Sequence, residues 1–179
     1  ALNYGFDRSA TVNAVNPGYK AYNRLVDSNF AGPDGGKFVD EYPVETVPLS
    51  GDVDKAKEYL AAAMEELGYS DVSQLPQLEL ITWDTSEQKL LLETIIDQWK
   101  QNLGLENIQL TQYVIGTAIG SFYDLSYDLF AITWETDVLP TDIMEAMVTG
   151  GEVNYGIWSD AQFDSLVEQA INELEPDKQ

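Results

Sequence analysis

"LELITWDTSEQKLLLETIIDQWKQNLGLENIQLTQYVI", residues 78–115, predicts a strand, a helix and a second strand in succession. The first six and the last eight residues of this stretch have the composition of strands. Between them, Thr85 and Gln88 form a capping-box pattern that begins the helix, and Gly104 ends it. Because strands that alternate with helices are typical of a largely parallel sheet, this stretch predicts an α/β fold.

The chain on either side continues the alternation. The further predicted elements are the end of a helix (1–6), a helix capped by Asp7 (8–15), a helix (53–67), a third strand (127–134), a short helix (141–148) and a closing helix (159–174). The closing helix begins with a second capping-box pattern, Ser159 and Gln162. Together these elements predict one α/β lobe with a mixed, largely parallel sheet flanked by helices.

Three of the helices carry apolar residues at helical spacing, and these faces are predicted to be buried. The faces consist of Val53, Ala56, Leu60, Ala63 and Leu67 in the first helix, Leu91, Ile95 and Trp99 in the second, and Phe163, Leu166, Val167, Ala170, Ile171 and Leu174 in the third. Gly68 and Gly104 follow the first two helices, at the position where a left-handed residue commonly ends a helix.

Residues 16–51 are rich in Gly, Pro, Asn and Asp and show no sustained periodicity, which predicts a long irregular excursion within the lobe. Part of it, "DSNFAGPDGGKF", is similar to a calcium-binding loop, with Asp27, Asn29 and Gly32 at suitable positions. However, Ala31 and Phe38 stand where an EF-hand requires an oxygen ligand and a bidentate glutamate. Turn chemistry therefore explains these residues better than calcium binding.

The net charge of the chain limits the classes of partner that it can bind. The 179 residues include nine Lys and Arg against 31 Asp and Glu, which gives a net charge of −22. Such a chain cannot neutralise a phosphate backbone, which argues against nucleic acid and disfavours anionic membrane surfaces. A cationic ligand or an amino group would be attracted instead.

The sequence contains no cysteine and no histidine. This excludes Cys-His and Ser-His-Asp catalysis, thiolate metal sites and imidazole ligands. Asp137 and Asp142 could help to hold a hard cation, but their spacing meets no recognised metal template. The sequence therefore predicts neither a metal site nor a cofactor.

The third predicted strand lies in "YDLFAITWETDVLP", residues 127–140, where an apolar run is followed by Trp134, Glu135 and Asp137. In open parallel sheets, ligands bind beyond the carboxyl ends of the strands, which is where these side chains would lie. Three interpretations fit. Glu135 and Asp137 could be a glycosidase-like carboxylate pair. The indole and Asp137 could bind the amino terminus of a peptide, or Trp134 could belong to the core while Asp137 caps a loop. Four tyrosines are equally typical of a core and of a binding-site rim: Tyr113, Tyr123, Tyr127 and Tyr155.

Four segments of the chain resemble the extracellular solute-binding proteins of peptide ABC importers, the oligopeptide-binding family 5. They are "ALNYGFDR" (1–8), "DVDKAKEYLAAAMEELGY" (52–69), "YDLFAITWETD" (127–137) and "WSDAQFDSLVEQA" (158–170). The resemblance implies a periplasmic-binding-protein-like class II fold, with residues 1–179 as the C-terminal, domain III-like lobe of a larger protein of two lobes. A peptide would be enclosed between the lobes by hinge closure.

The resemblance also implies roles for residues. Asp137 corresponds to the aspartate that holds the peptide's α-amino group, and Trp134 would lie near the ligand, with Tyr113 and Tyr123 lining the cleft. Two positions depart from the basic residues with which some members meet a peptide carboxylate, since Phe122 and Ala131 stand near those places. Val138 replaces the family's usual tyrosine in a shorter loop.

The function implied is that of the substrate-binding component of a peptide ABC importer, which delivers oligopeptides to its permease. The protein would not be an enzyme. It would be exported and either lipid-anchored on the extracellular face of the membrane, through an anchor outside residues 1–179, or periplasmic. One alternative is a carbohydrate-binding importer subunit in which Trp134 stacks on a sugar; a less favoured alternative is a glycoside-processing enzyme that uses Glu135 and Asp137.

Overall fold

A computed structural model of the chain describes residues 1–24, 26, 29–44, 46–133, 144–173 and 175. The chain divides into two compact units. The larger unit consists of Ala1–Asn23 and Val47–Thr133, and the smaller unit of Arg24–Thr46 and Trp134–Gln179. The single lobe over 1–179, with an irregular excursion at 16–51, stays a prediction.

The larger unit is built on a parallel sheet of three strands in the order β2-β1-β3. The central strand, β1 (Leu78–Trp83), pairs along its whole length with β2 (Ile108–Tyr113). The third strand, β3 (Leu129–Phe130), pairs with Leu80 and Ile81 on the other side of β1. The predicted α/β fold with a parallel sheet is confirmed.

Four α-helices of the larger unit accompany this sheet: α1 (Arg8–Val15), α3 (Val53–Leu67), α4 (Ser86–Leu103) and α5 (Ile115–Tyr123). The bounds of β1, α1 and α3 agree with the predicted ones. β2 ends two residues earlier than predicted, because Val114 becomes the residue that precedes α5. The helix α5 was not predicted. Paired β3 is shorter than predicted, although the amide of Ala131 still donates to the Ile81 carbonyl at 3.1 Å.

One face of the sheet is covered by α3 and α4. The core on this face consists of Ala56, Leu80, Leu92, Ile96, Trp99, Leu103 and Leu105, with Ile108, Leu110, Leu129 and Ala131 of the other strands packed against it. The buried stripe of α4 is therefore Leu92, Ile96, Trp99 and Leu103, whereas Leu91 and Ile95 of the predicted stripe lie at its border. The apolar arc of this helix is wide, so its sequence does not fix which edge meets the sheet.

The buried face of α3 also differs from the predicted one. Ala56 and Met64 are buried and Leu60 is partly buried, so these residues form an i, i+4, i+8 row against the core. Ala63 is exposed, and Leu67 keeps 59% of its surface exposed at the last position of the helix. The helix itself was predicted correctly, but the face of the helix that is buried was not.

Side-chain caps begin three of these helices. Asp7, Asp52 and Thr85 accept hydrogen bonds from main-chain amides three residues ahead, at 2.8, 3.0 and 3.2 Å respectively. Only the threonine half of the predicted capping box at α4 forms, because the Thr85 amide donates to the Trp83 carbonyl at 2.9 Å instead of to Gln88. The Gln88 side-chain amide donates to the Thr133 hydroxyl. The left-handed ends of α3 and α4 at Gly68 and Gly104 are confirmed, with φ of 74° and 71°.

Residues 1–6 contain a short 3₁₀ helix, Leu2–Tyr4, in place of the predicted helix end. Helix α4 holds this segment from one side: the Trp99 indole donates to the Leu2 carbonyl and the Asn102 amide to the Gly5 carbonyl, both at 2.9 Å. Gly51 meets the same segment. Its φ is 73°, and a Cβ atom at this position would lie 2.6 Å from the carbonyl oxygen of Phe6, so only glycine fits.

The other face of the sheet is covered by α5. Phe122 is only 1% exposed, and its ring lies 5.9 Å from that of Tyr127 and 5.1 Å from that of Phe130. Ala118 and Ile81 are fully buried as well. Burial raises the pKa of the Tyr127 hydroxyl, because the ionised form loses hydration.

The smaller unit contains α2 (Phe38–Glu41) and α6 (Ala161–Asn172) among its described residues. The Gly-rich loop before α2 closes through a bridge between Ala31 and Lys37, and the Glu41 carboxylate accepts from the amides of Gly36 at 2.8 Å and Asp34 at 3.2 Å. This carboxylate therefore binds the loop's own N–H groups, in agreement with turn chemistry.

The N-cap of helix α6 lies one residue later than predicted. Asp160, and not Ser159, is its N-cap, since the Asp160 carboxylate accepts from the Phe163 amide at 2.8 Å. The Ser159 hydroxyl instead accepts a hydrogen bond from the Thr149 hydroxyl. On the predicted apolar face, Val167 is buried, but Leu166 and Ile171 are exposed and Leu174 lies outside the described residues. Within the predicted short helix over 141–148, residues 144–146 are helical.

Candidate ligand-binding edge of the sheet

The carboxyl ends of the three strands meet at one edge of the sheet. Trp83 and Tyr113 end β1 and β2 opposite each other, and Ala131 follows β3 beside Ile81 and Thr82. In parallel α/β sheets this edge is where ligands bind, because the loops that leave the strands converge there. We refer to Trp83–Thr85, Tyr113–Ile115 and Ala131–Thr133 as the carboxyl edge.

Hydrogen bonds fix the carboxyl edge. The Asp84 amide donates to the Tyr113 carbonyl at 2.8 Å, and the Thr82 hydroxyl donates to the Ala131 carbonyl at 2.7 Å. The side-chain amide of Gln112 reaches the carbonyls of Trp83 and Thr85 at 3.3 and 3.1 Å. Together with the contact between Gln88 and Thr133, these bonds hold the strand ends in place before any ligand arrives.

The surface of the carboxyl edge is apolar and acidic. Val114 and Ile115 are 65% and 53% exposed, Asp84 is exposed directly after β1, and Glu87 is exposed in the first turn of α4. The nearest cation in sequence, Lys89, lies 3.9 Å from the Glu93 carboxylate. An edge of this kind can attract a positively charged group and pack against an apolar one.

Comparison with known proteins places this geometry in a family. The model of the bacterial extracellular solute-binding proteins, family 5, middle region, matches residues 1–155. The chain belongs to this family. Family 5 consists of solute-binding transport proteins and is not an enzyme family.

Individual relatives agree with the family 5 assignment. The chain is 27% identical over 130 residues to the oligopeptide-binding protein OppA of Bacillus subtilis (strain 168), which covers 71% of this chain and 24% of OppA. It is 26% identical over 157 residues to the dipeptide-binding protein DppE of the same organism, which covers 87% of this chain and 28% of DppE. The chain therefore spans about a quarter of the length of these curated relatives.

The fold also agrees with a solved structure of the same class. Listeria monocytogenes OppA bound to peptide superposes with a TM-score of 0.81 at 22% identity, over 93% of this chain and 32% of that one. The periplasmic-binding-protein-like fold inferred from the sequence is thus confirmed.

The predicted site residues of this family 5 chain fall in different places. Trp134, Glu135 and Asp137 lie outside the described residues, as do Val138 and Asp142. The residue that immediately precedes Trp134, Thr133, is described, and its hydroxyl accepts a hydrogen bond from the Gln88 side-chain amide. The anchoring role of Asp137 stays a prediction.

The three of the four tyrosines that belong to the larger unit lie in different places. Tyr113 lies at the carboxyl edge and is half-buried, whereas Tyr123 ends α5 and is 65% exposed. Because α5 begins at the carboxyl edge and rises about 1.5 Å per residue, Tyr123 lies roughly 12 Å along the helix from that edge. Tyr127 packs in the aromatic cluster with Phe122, and Tyr155 belongs to the smaller unit. The cleft roles of Tyr113 and Tyr123 remain predictions.

Sequence reasoning missed two polar groups near the carboxyl edge. The indole nitrogen Nε1 of Trp83 and the hydroxyl of Thr111 are buried, and neither has a hydrogen-bond partner in the described part of the chain. Trp83 was interpreted only as the last residue of a strand, and its sequence position alone gives no sign of an unpaired donor. Asp84 was missed too, although a carboxylate directly after a central strand was a readable signal.

Metal binding finds no support at this edge. In the parts of the chain that the structure describes, no three side chains of the metal-ligating types come together. Over the same residues, no helix combines the length and the apolar character that a membrane crossing requires.

Proposed function

We propose that this chain is a ligand-binding part of the substrate-binding component of a peptide ABC importer. The protein would bind oligopeptides between two lobes and deliver them to an ABC permease. The observation that carries the proposal is the family 5 match over residues 1–155. The names of the two relatives, an oligopeptide-binding and a dipeptide-binding protein, support peptides as the ligand class.

The amino terminus of the peptide is the group that this chain would recognise. A peptide's α-ammonium is cationic, and the chain has a net charge of −22, with Asp84 exposed at the carboxyl edge and Glu87 exposed in the first turn of α4. Asp137 follows Thr133 by four residues and would accept the α-ammonium protons, while Trp134 packs against the first residue. A charge-assisted hydrogen bond of this kind contributes about 1.5–3 kcal/mol.

The carboxyl terminus of the peptide would be recognised elsewhere. No Lys or Arg occurs between Lys100 and Lys178. Of the two positions where some family members carry basic residues, Phe122 of α5 is buried against the sheet and Ala131 packs against the core of the α4 face. Neither side chain can meet a carboxylate, which supports a division of labour in which this chain holds the amino end.

Peptide transport also sets what the protein needs and where it works. The protein would act without a cofactor and without catalysis, since binding and release of a peptide require only a change of conformation. It would work outside the cytoplasmic membrane, either lipid-anchored through a segment outside residues 1–179 or periplasmic, as family 5 proteins are extracellular.

Isothermal titration calorimetry on the longest native polypeptide that contains residues 1–179 tests this function. The titrants are a free oligopeptide, the same peptide with an acetylated amino terminus, and an oligosaccharide. We expect binding of the free peptide, binding weakened at least tenfold by acetylation, and none of the sugar. Preference for the sugar would reject peptide transport.

The anchor is tested with Asp137→Asn, with Glu135→Gln as the matched control. Loss of one charge-assisted bond of about 1.5–3 kcal/mol corresponds to roughly 10- to 150-fold weaker peptide binding for Asp137→Asn. Glu135→Gln should bind as the wild type does, and both should unfold at the wild-type denaturant concentration. Equal affinities of the two variants would rule out Asp137 as the anchor.

A further inference from the structure

Trp83 lies at the centre of the carboxyl edge. It is the last residue of β1, the strand that both β2 and β3 flank. Its indole nitrogen Nε1 is buried and has no hydrogen-bond partner among the described residues. An indole N–H can only donate, and a donor left buried without an acceptor costs about 1–3 kcal/mol.

A second indole shows what the fold does with such a donor elsewhere. Trp99, in the core of the α4 face, is buried, and its Nε1 donates to the Leu2 carbonyl at 2.9 Å. The fold thus supplies an internal acceptor to the indole N–H of Trp99, and the described residues supply none to that of Trp83.

A neighbouring group shares this property. Thr111 lies opposite Ile81 in the register of β1 and β2, and Tyr113 lies opposite Trp83. Because alternate residues of a strand project to the same face, Trp83 and Thr111 project to the face covered by α5. The Thr111 hydroxyl is also buried without a partner among the described residues. Two unpaired polar atoms on one face of adjacent strands indicate a place for a polar group that comes from outside the fold.

We propose that Trp83 donates a hydrogen bond from its indole N–H to a main-chain carbonyl of the bound peptide. The inference rests on the proposed function and adds a binding residue on the central strand. Trp83 as a residue is partly exposed although its Nε1 atom is buried, so the proposal requires the ring to turn before Nε1 meets the peptide. Every peptide offers main-chain carbonyls, so this contact would bind peptides irrespective of their side chains.

The test compares Trp83→Phe with Trp99→Phe, since both changes keep an aromatic ring and remove one indole N–H. Peptide affinity is measured by calorimetry and stability by urea unfolding. Both use the longest native polypeptide that contains residues 1–179. Trp83→Phe should weaken peptide binding about tenfold and leave the ligand-free protein as stable as the wild type or more stable. Trp99→Phe should bind peptide as the wild type does and unfold at a lower urea concentration, because the Leu2 carbonyl loses its hydrogen-bond donor.

Each alternative outcome has a separate meaning. A wild-type protein that binds no peptide contradicts the proposed function and the inference with it. A wild type that binds peptide, with a Trp83→Phe variant of equal affinity, contradicts the inference alone. A Trp83→Phe variant that is destabilised without ligand also overturns it, because the indole would then already have an acceptor within the folded chain or in a buried water.

Discussion

The two faces of the sheet are covered by helices of different character. On one face, α4 is 18 residues long, is capped by Thr85 and ends at a left-handed glycine. On the other, α5 is nine residues long and has no side-chain cap, and its Gly116 and Gly120 are unfavourable within a helix. Helix α4 satisfies the local rules of helix formation, whereas α5 depends on Ala118 and Phe122 packing against the sheet. The comparison shows that one fold can contain a helix specified by its own sequence and a helix imposed by its surroundings.

The largest effect on this comparison is expected from truncating the central side chain of each face. Phe122→Ala should lower the free energy of unfolding by about 3–5 kcal/mol, and Leu92→Ala by about 2–5 kcal/mol, as measured by urea unfolding. Circular dichroism should reveal the difference between the faces: Phe122→Ala loses the helical signal of α5, whereas α4 remains helical in Leu92→Ala. A loss below 1 kcal/mol for Phe122→Ala would mean that α5 is held by other contacts.

A smaller effect of opposite sign is expected at the two helix starts. Thr85→Ala removes the cap of α4 and should destabilise the protein by about 1 kcal/mol. Val114 precedes α5 with extended backbone, φ −57° and ψ 146°, so Val114→Asp can supply the missing cap and should stabilise by about 0.5 kcal/mol. Thermal unfolding of the two variants measures both changes. Destabilisation by Val114→Asp would show that the exposed valine contributes more than a cap.

The smallest effect concerns pH on the α5 face. Burial raises the pKa of Tyr127 above that of an unfolded tyrosine, so its contribution to stability is complete below about pH 10 and is lost as the pH rises through the folded pKa. Unfolding temperatures measured between pH 8 and 11 should therefore fall less steeply for Tyr127→Phe than for the wild type. Parallel curves would show that this hydroxyl keeps its hydration in the folded chain.

The same contrast explains what the sequence could reveal of the fold. The strand β1 and the helices α1, α3 and α4 carry caps, periodic apolar residues and terminal glycines, which are local signals. Helix α5 carries glycine and β-branched residues, which favour other structures, and only tertiary packing makes it helical. The rotations of α3 and α4 were missed for a related reason, since a wide apolar arc fits the sheet in more than one orientation.

The sequence predicts a candidate site at the strand ends, but it does not reveal every polar group there. The rule that ligands bind at the carboxyl ends of parallel strands predicts the edge that Trp83, Tyr113 and Ala131 form, and the binding role of this edge stays a prediction. The unpaired donor of Trp83 could not be predicted, because whether an indole finds an acceptor depends on residues distant in sequence, as Leu2 is for Trp99.

Gly51 has a consequence for anyone who surveys natural or engineered variants of this chain. Its left-handed backbone and the carbonyl oxygen of Phe6, 2.6 Å from where a methyl would stand, exclude every side chain. Position 51 should therefore tolerate no replacement in a saturation library, although it is not at the carboxyl edge. Intolerance to substitution at this position would reflect the close contact between Gly51 and the main chain of Phe6. A screen for transport would wrongly assign Gly51 to the binding site.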